Sequence, residues 1–144
     1  MQEQHYDLIV VGGGPSGMMA AGRAGELGAR VLLIEKNKRL GEKLSITGGG
    51  RCNITNAEPD NQLFLDNFPE AKRFLLSPFS QFNVDSTFAF FEDRGLKLKV
   101  EDRKRAFPKS ESAEGVRRFM ERYVAESENV HVRLGTAVKG LVVE

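Results

Sequence analysis

The chain has 144 residues, 40% of them apolar and 28% charged, which describes one ordinary globular domain able to build its own core. A formal net charge of +1 provides no global attraction to nucleic acid or anionic lipid. One cysteine, Cys52, cannot close an internal disulfide and fits a reducing compartment. The start, Met1-Gln2-Glu3-Gln4-His5, lacks a basic n-region, and the apolar run behind it is too short for a signal peptide or membrane span, so a cytoplasmic location is expected.

The first thirty-five residues read as strand, glycine turn, helix and strand. Leu8-Ile9-Val10-Val11 enters Gly12-Gly13-Gly14-Pro15-Ser16-Gly17, a small-residue helix pattern runs from Met18 to Leu27, and Val31-Leu32-Leu33-Ile34 ends on Glu35. Ala20, Ala21, Ala24 and Leu27 are expected on one helix face, with Gly28 as the C-cap. Gly12 permits the tight turn, Gly14 lets the backbone approach a pyrophosphate, and Gly17 lets helix and strand pack. Pro15 and Ser16 open the helix, whose N-terminal N–H groups and positive dipole end face the diphosphate. Glu35 accepts hydrogen bonds from both ribose hydroxyls of an adenosine and repels a 2′-phosphate, which argues against NADP at this site. The spacing therefore predicts a unit that binds the ADP half of a dinucleotide.

Lys36 to Lys43 is a basic loop. It reads either as a solvated connection or as a source of one or two cations, Lys36 first, near the adenosine or pyrophosphate. Thr47-Gly48-Gly49-Gly50-Arg51-Cys52-Asn53 follows. Three successive glycines cost backbone entropy, so unusual φ/ψ or the approach of a flat ligand is expected here, against the alternative of a flexible surface loop. Cys52 reads as a packing residue rather than a redox thiol, although Arg51 would lower its pKa.

Eight of the ten phenylalanines lie between Phe64 and Phe91 and are expected to form a lobe core. Asn67 is predicted to cap a helix that carries Ala71, Phe74 and Leu75 inward and breaks at Pro78. A second helix is predicted from near Asn83 to Arg94, with Gly95 at C′. Residues 95–100 alternate as a strand, Glu101 to Arg105 make a charged turn without the expected glycine, and Ala106-Phe107-Pro108 start the return. The basic patch there lacks interleaved aromatics and reads as a solvated hairpin face. Ser110 is predicted to cap a helix through about Ser127 with Val116, Phe119, Met120, Tyr123 and Val124 as its core stripe. Strands are expected over 130–134 and 137–143. His5 and His131 lack companions at ligand spacing, so no metal site is expected. The apolar run at the C-terminus suggests that a longer protein continues beyond Glu144.

The order of these pieces resembles the BaiN-type NAD(P)/FAD-dependent oxidoreductases, also described as aminoacetone oxidase-like flavoproteins. The resemblance rests on residues 10–21, on Leu33-Ile34-Glu35-Lys36-Asn37, on residues 43–56 and on Ala106-Phe107-Pro108-Lys109-Ser110, with the Thr47 to Asn53 block as its specific part. It corresponds to the N-terminal third of a family member. It implies FAD as the cofactor, with Gly48 to Asn53 near the ribityl or isoalloxazine portion and a backbone group at Val138 holding the adenine. It also implies hydride exchange between flavin and NAD(P)H or a small organic substrate.

The expected fold is thus α/β, a Rossmann-type, three-layer, glutathione-reductase-like FAD-binding domain with a helical insertion, truncated at its C-terminus. Residues 1–56 would carry the βαβ unit and glycine-rich turn, 57–95 the helical insertion, and 96–144 the hairpin, helix and returning strands. The cofactor-binding candidates are Gly12, Gly14, Pro15, Ser16, Gly17, Glu35, Lys36, Gly48, Gly49, Gly50, Arg51, Cys52, Asn53 and Val138. No residue is assigned as catalytic, and neither nucleic acid nor membrane is an expected partner. The competing readings are a non-catalytic nucleotide-binding fragment, an NAD-dependent dehydrogenase, which calls for another βαβ unit after Glu35, and flavin-dependent RNA modification.

Overall fold

Strand β1 (Leu8–Val11) and strand β2 (Val31–Ile34) pair in parallel, with Leu8 opposite Val31 and Val11 opposite Ile34. Parallel neighbours need a crossover, which helix α1 (Pro15–Glu26) supplies in this computed structural model, described over residues 4–142. Pro15 suits the first helical turn, where its missing N–H would have had no intrahelical acceptor. Leu27 caps the other end, and Gly28 follows at φ +90°.

The buried face of α1 is rotated from the expected one. Met18, Ala21, Gly22 and Gly25 are buried, whereas Ala20 is exposed and Leu27 is 71% exposed. Close packing is the reason. A Cβ at Gly22 would stand 2.3 Å from the Tyr123 ring, and one at Gly25 would stand 2.5 Å from Val130. The two glycines therefore set which side of the helix turns inward, and of the expected face Ala21 is the residue that is buried with them.

Helix α5 (Ala113–Ala125) buries the predicted stripe of Val116, Phe119, Met120, Tyr123 and Val124 and leads to strand β6 (Val130–Arg133). That strand pairs in parallel with β2, Val31 opposite Val130, so the sheet order is β1-β2-β6. Central β2 holds Val31 and Leu33 fully buried; Ile9 and Val11 on edge strand β1 are exposed. This is the expected return to a parallel sheet, and the domain is a Rossmann-type α/β fold.

Two expectations at this end change. Ser110 lies in a turn and Glu111 takes φ +53°, so the backbone is not helical there and Ser112 is the residue next to the helix. No strand forms over residues 137–142, and Val143 lies outside the described residues. The chain instead turns back along the loop after β2, where Gly135 N donates to Asn37 O at 2.9 Å and Thr136 N to Glu35 O at 3.0 Å.

Contacts divide the chain into two compact units, Met1–Ile46 with Glu114–Glu144, and Thr47–Ala113. The second unit holds an antiparallel sheet of β3 (Thr55–Asn56), β5 (Arg105–Pro108) and β4 (Leu98–Glu101), in that order. Strand β4 starts later than predicted, at Leu98, whose N–H donates to the Glu92 carboxylate. The hairpin tip solves its missing glycine by placing Arg103 at φ +60° and Lys104 at φ +57°.

Helix α2 (Asn61–Asp66) is capped by Asp60, whose Oδ1 accepts from the Gln62 and Leu63 N–H groups. Asn67 does not start the next helix; it closes α2, its Nδ2 donating to Leu63 O and Phe64 O. Helix α3 (Lys72–Gln81) runs through Pro78 instead of breaking there, with Phe82 N still donating to Pro78 O. No α3 residue is buried, and Phe74, expected inward, is 80% exposed. Helix α4 (Val84–Glu92) is capped by Asn83 and ends two residues before the predicted Arg94, with Asp93 as its C-cap, so Gly95, at φ +89°, lies one position beyond the expected C′. Val84, Phe90 and Phe91 are buried, but Phe68 and Phe82 are exposed, so the phenylalanines form this unit's core only in part.

Candidate functional site

The first unit carries the glycine turn. Gly12 leaves β1 at φ +106°, its N–H donating to Ile34 O at 2.8 Å, which ties the turn to the tip of β2. A Cβ at Gly17 would lie 1.9 Å from Gly12 O, so α1 rests directly on the turn. A Cβ at Gly13 would lie 2.3 Å from Leu40 Cδ2 and 3.2 Å from the Glu35 side chain. Gly14 differs, because nothing stands within 4 Å of where its Cβ would be. The Gly14 backbone is bare toward open space, and it is the N-cap of α1 without a side-chain cap. Exposed Pro15 and Ser16 begin the helix. The first-turn N–H groups and the positive helix end are thus available to an anion.

Glu35 is 7% exposed. Its Oε2 accepts from Gly13 N at 2.6 Å and its Oε1 from Asn37 N at 2.8 Å. The Asn37 N–H lowers its pKa most, the Gly13 N–H and Lys36 lower it further, and burial opposes them. The carboxylate therefore stays ionised as a pure acceptor. Each oxygen spends one lone pair on the backbone and retains another, which fits a ribose diol. Lys36 is exposed beside it. Val138 is 40% exposed in the irregular stretch just beyond Thr136, whose N–H holds Glu35 O.

The Gly48–Asn53 turn belongs to the second unit and forms an arrangement of its own. Gly48, Gly49 and Gly50 take φ of +56°, +65° and +86°, and Cys52 takes +60°. Cys52 N donates to Thr47 O and Arg51 N to Gly48 O, closing the turn. A Cβ at Gly48 would stand 2.9 Å from Asn53 N, whereas Gly49 and Gly50 face open space. The Arg51 guanidinium lies 4.2 Å above the Phe107 ring, and its Nη2 donates to Glu101 and Glu111. Lys99 pairs with both carboxylates. The Asn53 amide, turned to pair with them, stands 3.1 Å from Thr55 O and Ala106 O. Burial pushes the Cys52 thiol up, opposed by a hydrogen bond with Thr47. The thiol is therefore neutral at neutral pH, against the expectation that Arg51 would lower its pKa.

Sequence reasoning missed Gly13, Asn37, Leu40 and Gly41. Gly41 N donates to Gly13 O at 2.7 Å, and Leu40 fills the space beside Gly13. A signal was present in the Leu40-Gly41 pair, an apolar residue and a glycine inside an otherwise charged loop.

A parallel β-α-β unit, a glycine turn under the helix N-terminus and an acid at the tip of the second strand define a Rossmann-type domain. The chain belongs to the HI0933-like protein Rossmann domain family, which it matches over residues 6–144. It is 38% identical over 80 residues to the ribosomal RNA dihydrouridine synthase of Escherichia coli, covering 56% of this chain and 20% of that protein. It is 32% identical over 134 residues to the 3-dehydro-bile acid delta(4,6)-reductase of Clostridium scindens, covering 92% of this chain and 32% of that protein. The chain thus spans a fifth to a third of the length of these relatives. A flavocytochrome c3 fumarate reductase shares the fold with a TM-score of 0.71 and 22% identity, over 96% of this chain and 28% of its own. Among the described residues no helix is long and apolar enough to cross a membrane.

Proposed function

We propose that this chain is the FAD-binding part of an oxidoreductase whose substrate is a carbon–carbon double bond in a small organic molecule. The observation that carries the reading is the join between turn and acid. The Gly13 N–H to Glu35 bond of 2.6 Å fixes an ionised acceptor beside a bare helix N-terminus. In this reading Gly12, Gly14, Pro15, Ser16 and Gly17 line the pyrophosphate and Glu35 takes the ribose diol, with Lys36 close by. Gly48 to Asn53 and Val138 are assigned to the cofactor on the family resemblance.

FAD, when bound, supplies hydride exchange at flavin N5. The chain's own residues bind and orient it, and the carboxylate of Glu35 disfavours any dinucleotide bearing a 2′-phosphate. The substrate class follows from relatives named for a delta(4,6)-reductase and a dihydrouridine synthase, both names describing saturation of a double bond. The longer coverage by the bile-acid enzyme supports a BaiN-type activity, with NAD(P)H as the hydride source. The unpaired Cys52 supports a cytoplasmic setting.

A second reading is reduction of uridine in ribosomal RNA, favoured by the identity to the Escherichia coli enzyme. The net charge of +1 counts against it, because RNA binding draws on basic surface. Anaerobic reduction of the full-length flavoprotein, followed by reoxidation with either a conjugated 3-oxosteroid or unmodified ribosomal RNA, tests both. Recovery of flavin absorbance with the steroid supports the first reading, and recovery only with RNA establishes the second. Recovery with neither contradicts double-bond reduction.

A further inference from the structure

Arg117 is a charged residue in the buried stripe of α5 and is only 6% exposed. Nothing in the dinucleotide fingerprint calls for it. Its Nε and Nη2 grip both oxygens of Glu114 at 2.9 Å, and its Nη1 donates to Glu121 at 3.1 Å. The same Nη1 donates to the backbone O of Leu40 at 3.2 Å, across 77 residues of sequence. Two carboxylates compensate the buried charge, and the planar fork is held so that one edge points at the loop after β2.

That loop leads to the nucleotide turn. Gly41 takes φ +68°, and a Cβ there would stand 2.7 Å from Arg117 Cγ, so arginine stem and loop backbone are in close contact. Gly41 N donates to Gly13 O, Leu40 Cδ2 occupies the space where a Gly13 side chain would go, and Gly13 N donates to Glu35. A continuous path of contacts therefore runs from Arg117 through Leu40 and Gly41 to Gly13 and on to the Glu35 carboxylate. Every member of the path lies in one unit of the chain.

We infer that Arg117 is a positioning residue for the adenosine diphosphate site, holding the Leu40–Gly41 loop so that Gly13 and Glu35 keep their binding geometry. The inference rests on the proposed reading of that site. Lysine at 117 would keep the charge but not the simultaneous grip on Glu114, Glu121 and the Leu40 carbonyl, because an ammonium is a point donor without a fork.

The test is calorimetric titration of the full chain with ADP, comparing the parent with Arg117→Met, Arg117→Lys and Val124→Ala. The last shortens another buried side chain of α5 and serves as the control for a merely loosened helix. The expected result is affinity weakened about tenfold in Arg117→Met and incompletely restored in Arg117→Lys, with Val124→Ala close to the parent. In a Glu35→Gln background the Arg117→Met effect should shrink well below tenfold, because the two residues act along one path. Parent-like affinity in Arg117→Met, or equal loss in Val124→Ala, overturns the positioning role while leaving the site reading intact. A parent chain that does not bind ADP overturns the site reading and this inference with it. An Arg117→Met chain too unstable to titrate moves the decision to the Arg117→Lys and Val124→Ala comparison, where equal affinities overturn the inference.

Discussion

The molecule contains two glycine turns that need glycine for opposite reasons. In the Gly12–Gly17 turn the constraint is mainly space: neighbouring atoms already occupy the Cβ positions of Gly13 and Gly17. In the Gly48–Gly50 turn it is mainly conformation, since all three residues have positive φ and two of them face open space. The first turn is therefore a packed joint between strand, helix and loop. The second is an exposed strip of left-handed backbone that leads into Arg51, which is itself fixed by Phe107, Glu101 and Glu111. Similar glycine-rich sequence hides two different mechanical designs.

Substitution breaks the comparison most sharply at Gly17. A Cβ there meets a backbone oxygen at 1.9 Å, which no rotamer relieves. Gly17→Ala is expected to cost about 3 kcal/mol of stability, read as a lowered urea midpoint, and to remove ADP binding. A midpoint within experimental error of the parent would contradict the packed-joint account. Next in size, Glu35→Ala is expected to weaken adenosine binding by about 1–3 kcal/mol, since it deletes a charged acceptor and orphans two backbone donors. Unchanged ADP affinity would remove Glu35 from the site.

Gly49→Ala probes the other turn. With open space around it, only the left-handed backbone penalises the substitution, at about 1 kcal/mol by thermal or urea unfolding. A loss as large as that at Gly17 would mean that the second turn is packed as well. The smallest effect expected is electrostatic. Arg117, and after it Arg118 and Arg39, hold Glu114 down to about 2, against an ordinary value of 4.5. A depressed folded-state pKa stabilises the fold above the unfolded value and loses that contribution as pH falls from about 4.5 toward 2. The thermal midpoint of Glu114→Gln should therefore decline less over that interval than the parent's, and parallel declines would show that the pair does not couple to folding.

What was legible in the sequence follows the same division. The β1-α1-β2 unit was readable because the spacing of Gly12, Gly14, Gly17 and Glu35 encodes local geometry, and α5 was readable from its apolar period. The inward face of α1 was not, because Gly22 and Gly25 carry no hydrophobic signal and are buried through Tyr123 and Val130, far away in sequence. Asn67 was misplaced because an asparagine amide serves a helix C-terminus as well as an N-terminus; here it closes α2, and α3 begins after Ala71 with no side-chain cap. Pro78 does not end α3, since a proline inside a helix removes one backbone bond without forbidding the next turn. The role of Arg117 was hidden because its decisive partner is the carbonyl of Leu40, which no side-chain pattern announces.

The most direct measurement is the visible absorption spectrum of the full-length protein after purification and addition of FAD, with free cofactor removed, for the parent and for Gly17→Ala. The account predicts a protein-bound flavin band in the parent and none in the variant. A colourless parent that instead binds NAD tightly would contradict it.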